Sequence, residues 1–309
     1  MIEVIIPTYK PGKEFLEALR RICLQELVPD RIHIVNTEKQ YFDALLARHS
    51  SILQDCPTEI AVSHIQKKEF DHGGTRDRAI RESEADIVIL MTQDAVPVSK
   101  HLIGNLISPL QKEEAEAAYA RQLPKKTADR LEKKTRAFNY SKTSEIKSLD
   151  NLKTNGIKTY FLSNVCAAYK RETYLKLGGF TTRTIFNEDM VFAAGLIEAG
   201  YKIAYVSDAE VFHSHHYSAF DQLHRNFDLG VSQKDHPEVF QGVPSEGEGI
   251  RMVKQLGGEF FREGDFYSLT ELGINSAFKY LGYQLGKHYE ALPMPLIKAL
   301  TMNRAYWEK

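Results

Sequence analysis

Up to residue 91, apolar residues in this chain fall into two alternating patterns. Short β-rich runs at Val4-Ile5-Ile6, 32–35, 60–65 and 87–91 read as strands. Between them, apolar positions recur at helical spacing. Phe15, Leu16, Leu19, Ile22 and Cys23 share one face of a helix over residues 13–25, and Tyr41, Phe42, Leu45 and Leu46 begin a second. Residues 75–84 make a third. The run Ile87-Val88-Ile89-Leu90-Met91 has no polar alternation, as expected of a strand covered on both faces. This β-α-β-α order predicts an α/β fold, a mainly parallel sheet with helices on both faces.

Polar residues gather where these strands end: Pro7-Thr8-Tyr9, Asn36-Thr37-Glu38 and Thr92-Gln93-Asp94. Pro7 cannot donate a ladder hydrogen bond, which suits a strand end. Ligands of open parallel sheets bind outside the carboxyl ends, so these groups are expected along one crevice. Asp94 either caps a helix starting near Ser99 or holds a divalent cation against a diphosphate. The loop Phe70-Asp71-His72-Gly73-Gly74-Thr75-Arg76-Asp77 places two glycines ahead of a helix. Backbone N–H groups there can approach an anion, and Arg76 can add a bidentate contact to phosphate. The plain alternative is a tight turn with a surface arginine. Neither GxGxxG nor GxxxxGK[ST] occurs, so a dinucleotide fingerprint and a P-loop are unsupported.

Residues 117–122 form a fifth strand, followed by a polar stretch over 124–159. It carries Lys125, Lys126, Arg130, Lys133, Lys134 and Arg136, read either as a solvated loop or helix face or as a mobile flap or basic patch touching phosphates. The apolar pattern returns over 160–169, with Ser163 and Asn164 inside it, and Gly178-Gly179 stops a short helix. In Phe186-Asn187-Glu188-Asp189, Asn187 is a candidate N-cap and the two acids suit a first helical turn. Alternatively one carboxylate enters the crevice as a general base. A later strand leads to Phe212-His213-Ser214-His215-His216-Tyr217, whose histidines are candidate metal ligands or ordinary satisfied imidazoles. Leu269, Leu272, Leu281 and Leu285, with lysines and tyrosines nearby, predict amphipathic helix. Such helices pack on their own domain, on a second subunit or at a bilayer surface.

The 309 residues allow one large domain or two smaller ones, with an ordinary globular 43% hydrophobic and 26% charged content. A net charge of −1 gives no reason to expect nucleic acid as a partner. Cys23, Cys56 and Cys166 have no metal-like spacing and read as small buried residues of a reducing compartment, not as a disulfide framework. No signal peptide or bilayer-spanning run is expected.

VIIPTYK, the glycine loop with Arg76, MTQDA, GGF, NED and the late histidine cluster occur in the order seen in family 2 inverting glycosyltransferases. Through FDHGGTRD, ILMTQDAVP and VFHSHHYS the chain resembles the bacterial rhamnosyltransferase branch, over roughly residues 1–235. The resemblance implies a GT-A fold (Rossmann-like, mixed but mainly parallel) over residues 1–235, with a C-terminal helical extension over 236–309. It implies nucleotide-sugar binding by Pro7, Thr8, Tyr9, Thr37, Glu38, Gly73, Arg76, Gln93 and Asp94. It implies Mg²⁺ or Mn²⁺ held by Asp94 with His213 and His215, although Thr92 stands where the family's Asp-x-Asp-like motif has its first carboxylate. Asp189 matches the catalytic base, beside Glu188. The implied reaction is transfer of L-rhamnose from dTDP-L-rhamnose to a glycan or lipid-linked glycan acceptor. The implied setting is cytoplasmic, with membrane contact through the C-terminal helices or a homodimer. A UDP-hexose transferase and a non-catalytic sugar-nucleotide-binding or scaffold protein are the alternatives; the latter draws on Thr92. A nucleotidyltransferase would need a glycine-rich, lysine-bearing loop after the first strand, and Lys10-Pro11-Gly12-Lys13 fits poorly.

Overall fold

The computed structural model of the chain describes residues 1–49, 56–215, 217–243 and 246–308. In chain order β1 (Ile2–Tyr9), α1 (Lys13–Cys23), β2 (Arg31–Thr37), α2 (Lys39–Leu46), β3 (Glu59–Ile65), α3 (His72–Glu82) and β4 (Ile87–Met91) form the expected alternation. There follow β5 (Val96–Pro97), α4 (Leu102–Gln111), β6 (Ala117–Leu123), α5 (Arg130–Asn139), β7 (Glu145–Lys147) and α6 (Leu152–Asn155). Next come β8 (Cys166–Lys170), α7 (Arg171–Lys176), α8 (Glu188–Glu198) and β9 (Ile203–Phe212). The chain ends in α9 (Ala219–Asp235), α10 (Pro237–Phe240), α11 (Glu246–Arg262), α12 (Phe266–Lys287) and α13 (Met294–Leu300).

The sheet runs β3-β2-β1-β4-β8-β6-β9-β5, with β7 also on β9. The first four strands are parallel; β8 is inserted antiparallel between β4 and β6, and β6 is parallel to β9. The carboxyl ends of β4, β6 and β9 therefore open on the same side. Alternate residues of each central strand enter different cores. Val4, Ile6, Ile89 and Met91 pack with α1 and α4, while Ile5, Val88 and Leu90 pack with α3 and α8. That two-sided burial is why the run at 87–91 is uniformly apolar.

Several expectations change. Pro7 lies inside β1, past the last residue that pairs with β4. The polar stretch after β6 contains a helix, α5, whose Asp129 side chain caps it by accepting from the Glu132 N–H at 2.7 Å. Its Arg130 and Lys134 reach Glu263, Asp265 and Glu259 at the end of α11 and the turn beyond, so these two cations are structural. Cys23 and Cys56 form a disulfide, against the expectation of separate buried thiols. Their Cα atoms lie 5.2 Å apart because the chain returns beside the end of α1 before entering β3; a separation of 33 residues gave no sign of it. The inference of a reducing compartment from cysteine usage is withdrawn with it. Cys166 is free and buried, as read. No described helix is long and apolar enough to cross a membrane.

The C-terminal helices are not a loose appendage. Gly230 of α9 and Gly282 and Gly286 of α12 let the two backbones touch: a Cβ at Gly282 would overlap the Leu223 carbonyl oxygen, and one at Gly286 that of Phe227. Gly282→Ala is expected to destabilise the protein by about 1–3 kcal/mol or more, because the obstacle is backbone and has no rotamer to yield. Thermal unfolding of the variant checks this; an unchanged midpoint would show that the helices separate freely.

Candidate active site

A cleft of about 890 Å³ opens at the carboxyl ends of β4, β6 and β9 and is closed by α5, α8, α9 and α12. Asp94 lies on its wall directly after β4; the helix near Ser99 begins only at Leu102, so Asp94 caps nothing there. His215 Nε2 stands 3.2 Å and His213 Nε2 3.5 Å from Asp94 Oδ2, and the two imidazole nitrogens are 3.0 Å apart. These three residues form a group whose ligand atoms all lie within 4.8 Å of one another. His216 falls outside the described residues.

The hydrogen bonding around His213 fixes its tautomer. Gln122 Oε1 accepts from Arg136 at 2.5 Å, so that atom is the amide oxygen, and it can only accept from His213 Nδ1 at 3.0 Å. The proton therefore sits on Nδ1, and the Nε2 lone pair faces Asp94. Burial pushes the His213 pKa down to about 3, so the ring is neutral near pH 7. Burial works to raise the Asp94 carboxyl, but the two histidines hold it below its ordinary value. With the His215 proton on Nδ1 as well, two imidazole lone pairs and a carboxylate converge on one point. The set of residues thus fits a divalent ion, with Gln122 orienting a ligand as metal sites require.

The second half of the cleft is built on α8. Asn187 precedes it as read, but with φ of 65° and no capping bond; its side chain reaches Ser232 instead. Glu188 is buried and pairs with Arg76 at 3.3 Å. Burial works to raise the Glu188 pKa, but Arg76 and then His72 hold it below the usual range. Arg76, expected to contact phosphate, does line the cleft, but it is buried, paired with Glu188 and donating to the His72 carbonyl at 2.8 Å. The glycine loop is not an anion cradle either. Asp71 accepts from the Gly74 N–H at 2.6 Å, and a Cβ at Gly73 would overlap the Thr181 carbonyl oxygen. Gly73 serves close packing, and the helix terminus already has its carboxylate.

Asp189 accepts from the Asn164 N–H at 3.0 Å and from its neighbour Met190 at 2.9 Å. Burial, with the adjacent Glu188 charge, pushes its pKa up to about 7. Glu188 and Asp189, neighbours in sequence, thus differ in proton affinity because only one has a cation.

The residues at the ends of β1 and β2 lie beside this cleft, whereas Thr92, Gln93 and Asp94 after β4 are on its wall. Gln93, which is on the wall, accepts from the Tyr9 N–H at 3.0 Å and donates to the Tyr9 carbonyl at 3.1 Å, joining the β1 and β4 ends. Thr8 and Thr37 are buried, Thr8 donating to Asn36 at 3.1 Å. Pro7 is partly covered, and Glu38 accepts from the Lys67 N–H at 2.6 Å. Residues missed by sequence reading are Gln122, His72, Arg225 and Lys279, all on the wall. Arg136 was visible as part of the basic run, and Asn164 as a polar break in an apolar one.

A sheet of this order, with a cation-ready group at its carboxyl ends, is the arrangement of GT-A nucleotide-sugar transferases. The chain belongs to glycosyltransferase family 2 and is a glycosyltransferase: the family model described as "Glycosyltransferase like family 2" matches residues 2–227. It is 37% identical to the O-antigen chain rhamnosyltransferase RfbN of Salmonella typhimurium, over 99% of this chain and 96% of that one. It is 40% identical to the O-antigen chain rhamnosyltransferase WbaN of Salmonella anatum, over 98% and 95%. Among solved structures, a mannosyltransferase from Pyrobaculum calidifontis in complex with GDP-Man and Mn²⁺ aligns with a TM-score of 0.56 at 18% identity, covering 97% of this chain and 78% of that one. TarS of S. aureus in complex with UDP-GlcNAc aligns with 0.53 at 15% identity, covering 94% and 91%. These last two share the fold.

The raised Asp189 pKa has a stability consequence. The folded state keeps a proton there that the unfolded chain loses near 3.8, so the contribution is present below that value and lost as pH rises through about 7. Asp189→Asn, which cannot ionise, is expected to be at least as heat-stable as wild type at pH 8, with its relative advantage shrinking towards pH 5. Melting curves at the two pH values check the sign.

Proposed function

We propose that this glycosyltransferase inverts configuration while moving L-rhamnose from dTDP-L-rhamnose to a hydroxyl of a growing cell-surface glycan. Residues 1–235 are on this reading the transferase domain, and 236–309 a helical extension that completes the cleft. The observation that carries the proposal is that Asp94, His213, His215 and Asp189 line one cleft. The two curated relatives, named as O-antigen chain rhamnosyltransferases, support the sugar and the class of acceptor.

The donor diphosphate lies at Asp94, His213 and His215, and the nucleoside extends towards Tyr9 and Glu38 at the strand ends. Those three side chains would hold a divalent cation, which would stabilise the charge on the departing nucleoside diphosphate. One carboxylate with two imidazoles suits Mn²⁺ better than Mg²⁺, which prefers oxygen ligands. Asp189 accepts the proton of the acceptor hydroxyl. The freed oxygen pair bonds to the anomeric carbon from the face opposite the diphosphate, and the carbon–diphosphate bond breaks with its electrons going to the leaving oxygen. A β-linked donor gives an α-L-rhamnoside. Glu188 is occupied by Arg76 and positions Asp189 through the first turn of α8. A carboxyl with a pKa near 7 is matched to a base working near neutral pH.

Peripheral membrane contact belongs to the same reading. Phe261, Phe266 and Tyr267 are exposed around the turn between α11 and α12, and aromatic side chains of this kind suit a bilayer interface. Work on the cytoplasmic side would require Cys23 and Cys56 to sit there as thiols, since disulfides are rare in reducing compartments. Co-sedimentation with anionic vesicles is expected to fall when Phe266 and Tyr267 are both replaced by Glu; undiminished binding would remove this corner from the interface.

A panel of sugar nucleotides tests the reaction. Turnover of dTDP-L-rhamnose is expected to need Mn²⁺ and to rise with pH through about 7, the value to which Asp189 is pushed. Asp189→Asn should bind donor and lose turnover by at least ~10². Exclusive use of a UDP-hexose would reject the rhamnose assignment, and an active Asp189→Asn would remove Asp189 as the base.

A further inference from the structure

The cleft has cations that neither the metal group nor the base accounts for. Arg225 from α9 and Lys279 from α12 both line it. The Arg225 guanidinium is held over the Phe186 ring, 4.6 Å from its centroid, and 5.7 Å from that of Tyr217. Phe186 lies on the segment that carries Asp189, so Arg225 is anchored beside the base. Lys279 shares one α12 stripe with Glu271 and Asn275, spaced four residues apart, and all three line the cleft. Burial lowers the Lys279 pKa, and Arg225 lowers it further, with no carboxylate among the contributing groups. Among the described residues, no carboxylate stands at ion-pair distance from either side chain. The glycine contacts between α9 and α12 keep the two charges together. Two neighbouring cations, half-buried and held in place by packing, are a receptor for a phosphoanion.

We propose that Arg225 and Lys279 form a phosphate subsite for the acceptor. Resting on the transfer reaction above, this makes the acceptor a glycosyl phosphate or diphosphate whose anion lies close to the attacked hydroxyl, because base and cations share one cleft. The other source of the same chemistry is the donor's own diphosphate, which the Asp94–His213–His215 group already serves. The C-terminal helices then select acceptors by charge, not by sugar contacts alone.

The test uses the full-length protein with Arg225→Met and Lys279→Met, singly and together. The first readout needs no turnover. With a chelator present, inorganic pyrophosphate is expected to raise the melting temperature of wild type and not of the double variant; equal shifts would overturn the subsite. The second readout is steady-state kinetics with Mn²⁺, whichever donor the panel identifies. The double variant should raise KM for a glycosyl diphosphate acceptor by at least ~10-fold, two charge-assisted contacts being lost. KM for the donor, and for the same glycan without phosphate, should stay put. Lys279→Arg should restore most of the loss seen in Lys279→Met, which a merely structural role would not predict. A rise confined to the donor KM would assign the cations to the donor diphosphate and overturn the acceptor assignment. Failure of the rhamnose reading shows separately, as a different donor in the panel, and leaves the pyrophosphate result intact.

Discussion

The buried pair of Arg76 and Glu188 joins two helices that are far apart in the chain, α3 and α8. Asn164 extends it: its side-chain amide donates to Glu188 at 3.2 Å, and its carbonyl oxygen accepts from the Tyr169 hydroxyl at 2.6 Å. The backbone N–H of the same asparagine holds Asp189. One network therefore sets where α8 begins and which way its second residue faces. Removing one member of such a pair costs about 3–5 kcal/mol, because the other charge is left buried and alone. The pair also divides the labour between two adjacent acids. Glu188 takes the cation and stays ionised; Asp189 takes the burial and the neighbouring negative charge, and holds its proton more tightly.

Much of the scaffold was legible. Periodicity placed β1 to β4 and their helices within a few residues, because β1, β2 and β4 are buried on both faces and α1 on one. Asp94, His213, His215 and Asp189 were singled out through the ordered motifs, and all four line one cleft. The failures share a cause: each depended on a partner distant in sequence. Arg76 read as a phosphate ligand because a helix-first-turn arginine says nothing about a glutamate 112 residues later. Gly73 read as an anion cradle because the Thr181 backbone that crowds it is invisible in the chain. Cys23 and Cys56 gave no pairing signal for the same reason. Helix α5 was left open between loop and helix face for another reason: among its ten residues only Leu131 is buried, so its apolar face is too thin to show a period.

The C-terminal helices change what kind of object the cleft is. The ends of the sheet supply Asp94, His213 and His215, and α8 supplies Asp189, but neither closes the cleft. Packing of α12 on α9 and of α11 on α5 draws Glu271, Asn275 and Lys279 over the open side. The Asp94–His213–His215 group and Asp189 thus sit on the part that matches the family, whereas the wall formed by α12 comes from residues beyond the match at 227.

The bond from His213 to Gln122 also bears on the proton inventory of cation uptake. Many histidine sites must shed a proton before they accept a metal ion, which makes loading compete with acidity. Here an amide oxygen, itself locked by Arg136, has already sent the ring's proton to the far side. At neutral pH this imidazole would meet an ion with its electron pair exposed and nothing to give up, so filling the site would leave the hydrogen-ion balance at His213 untouched.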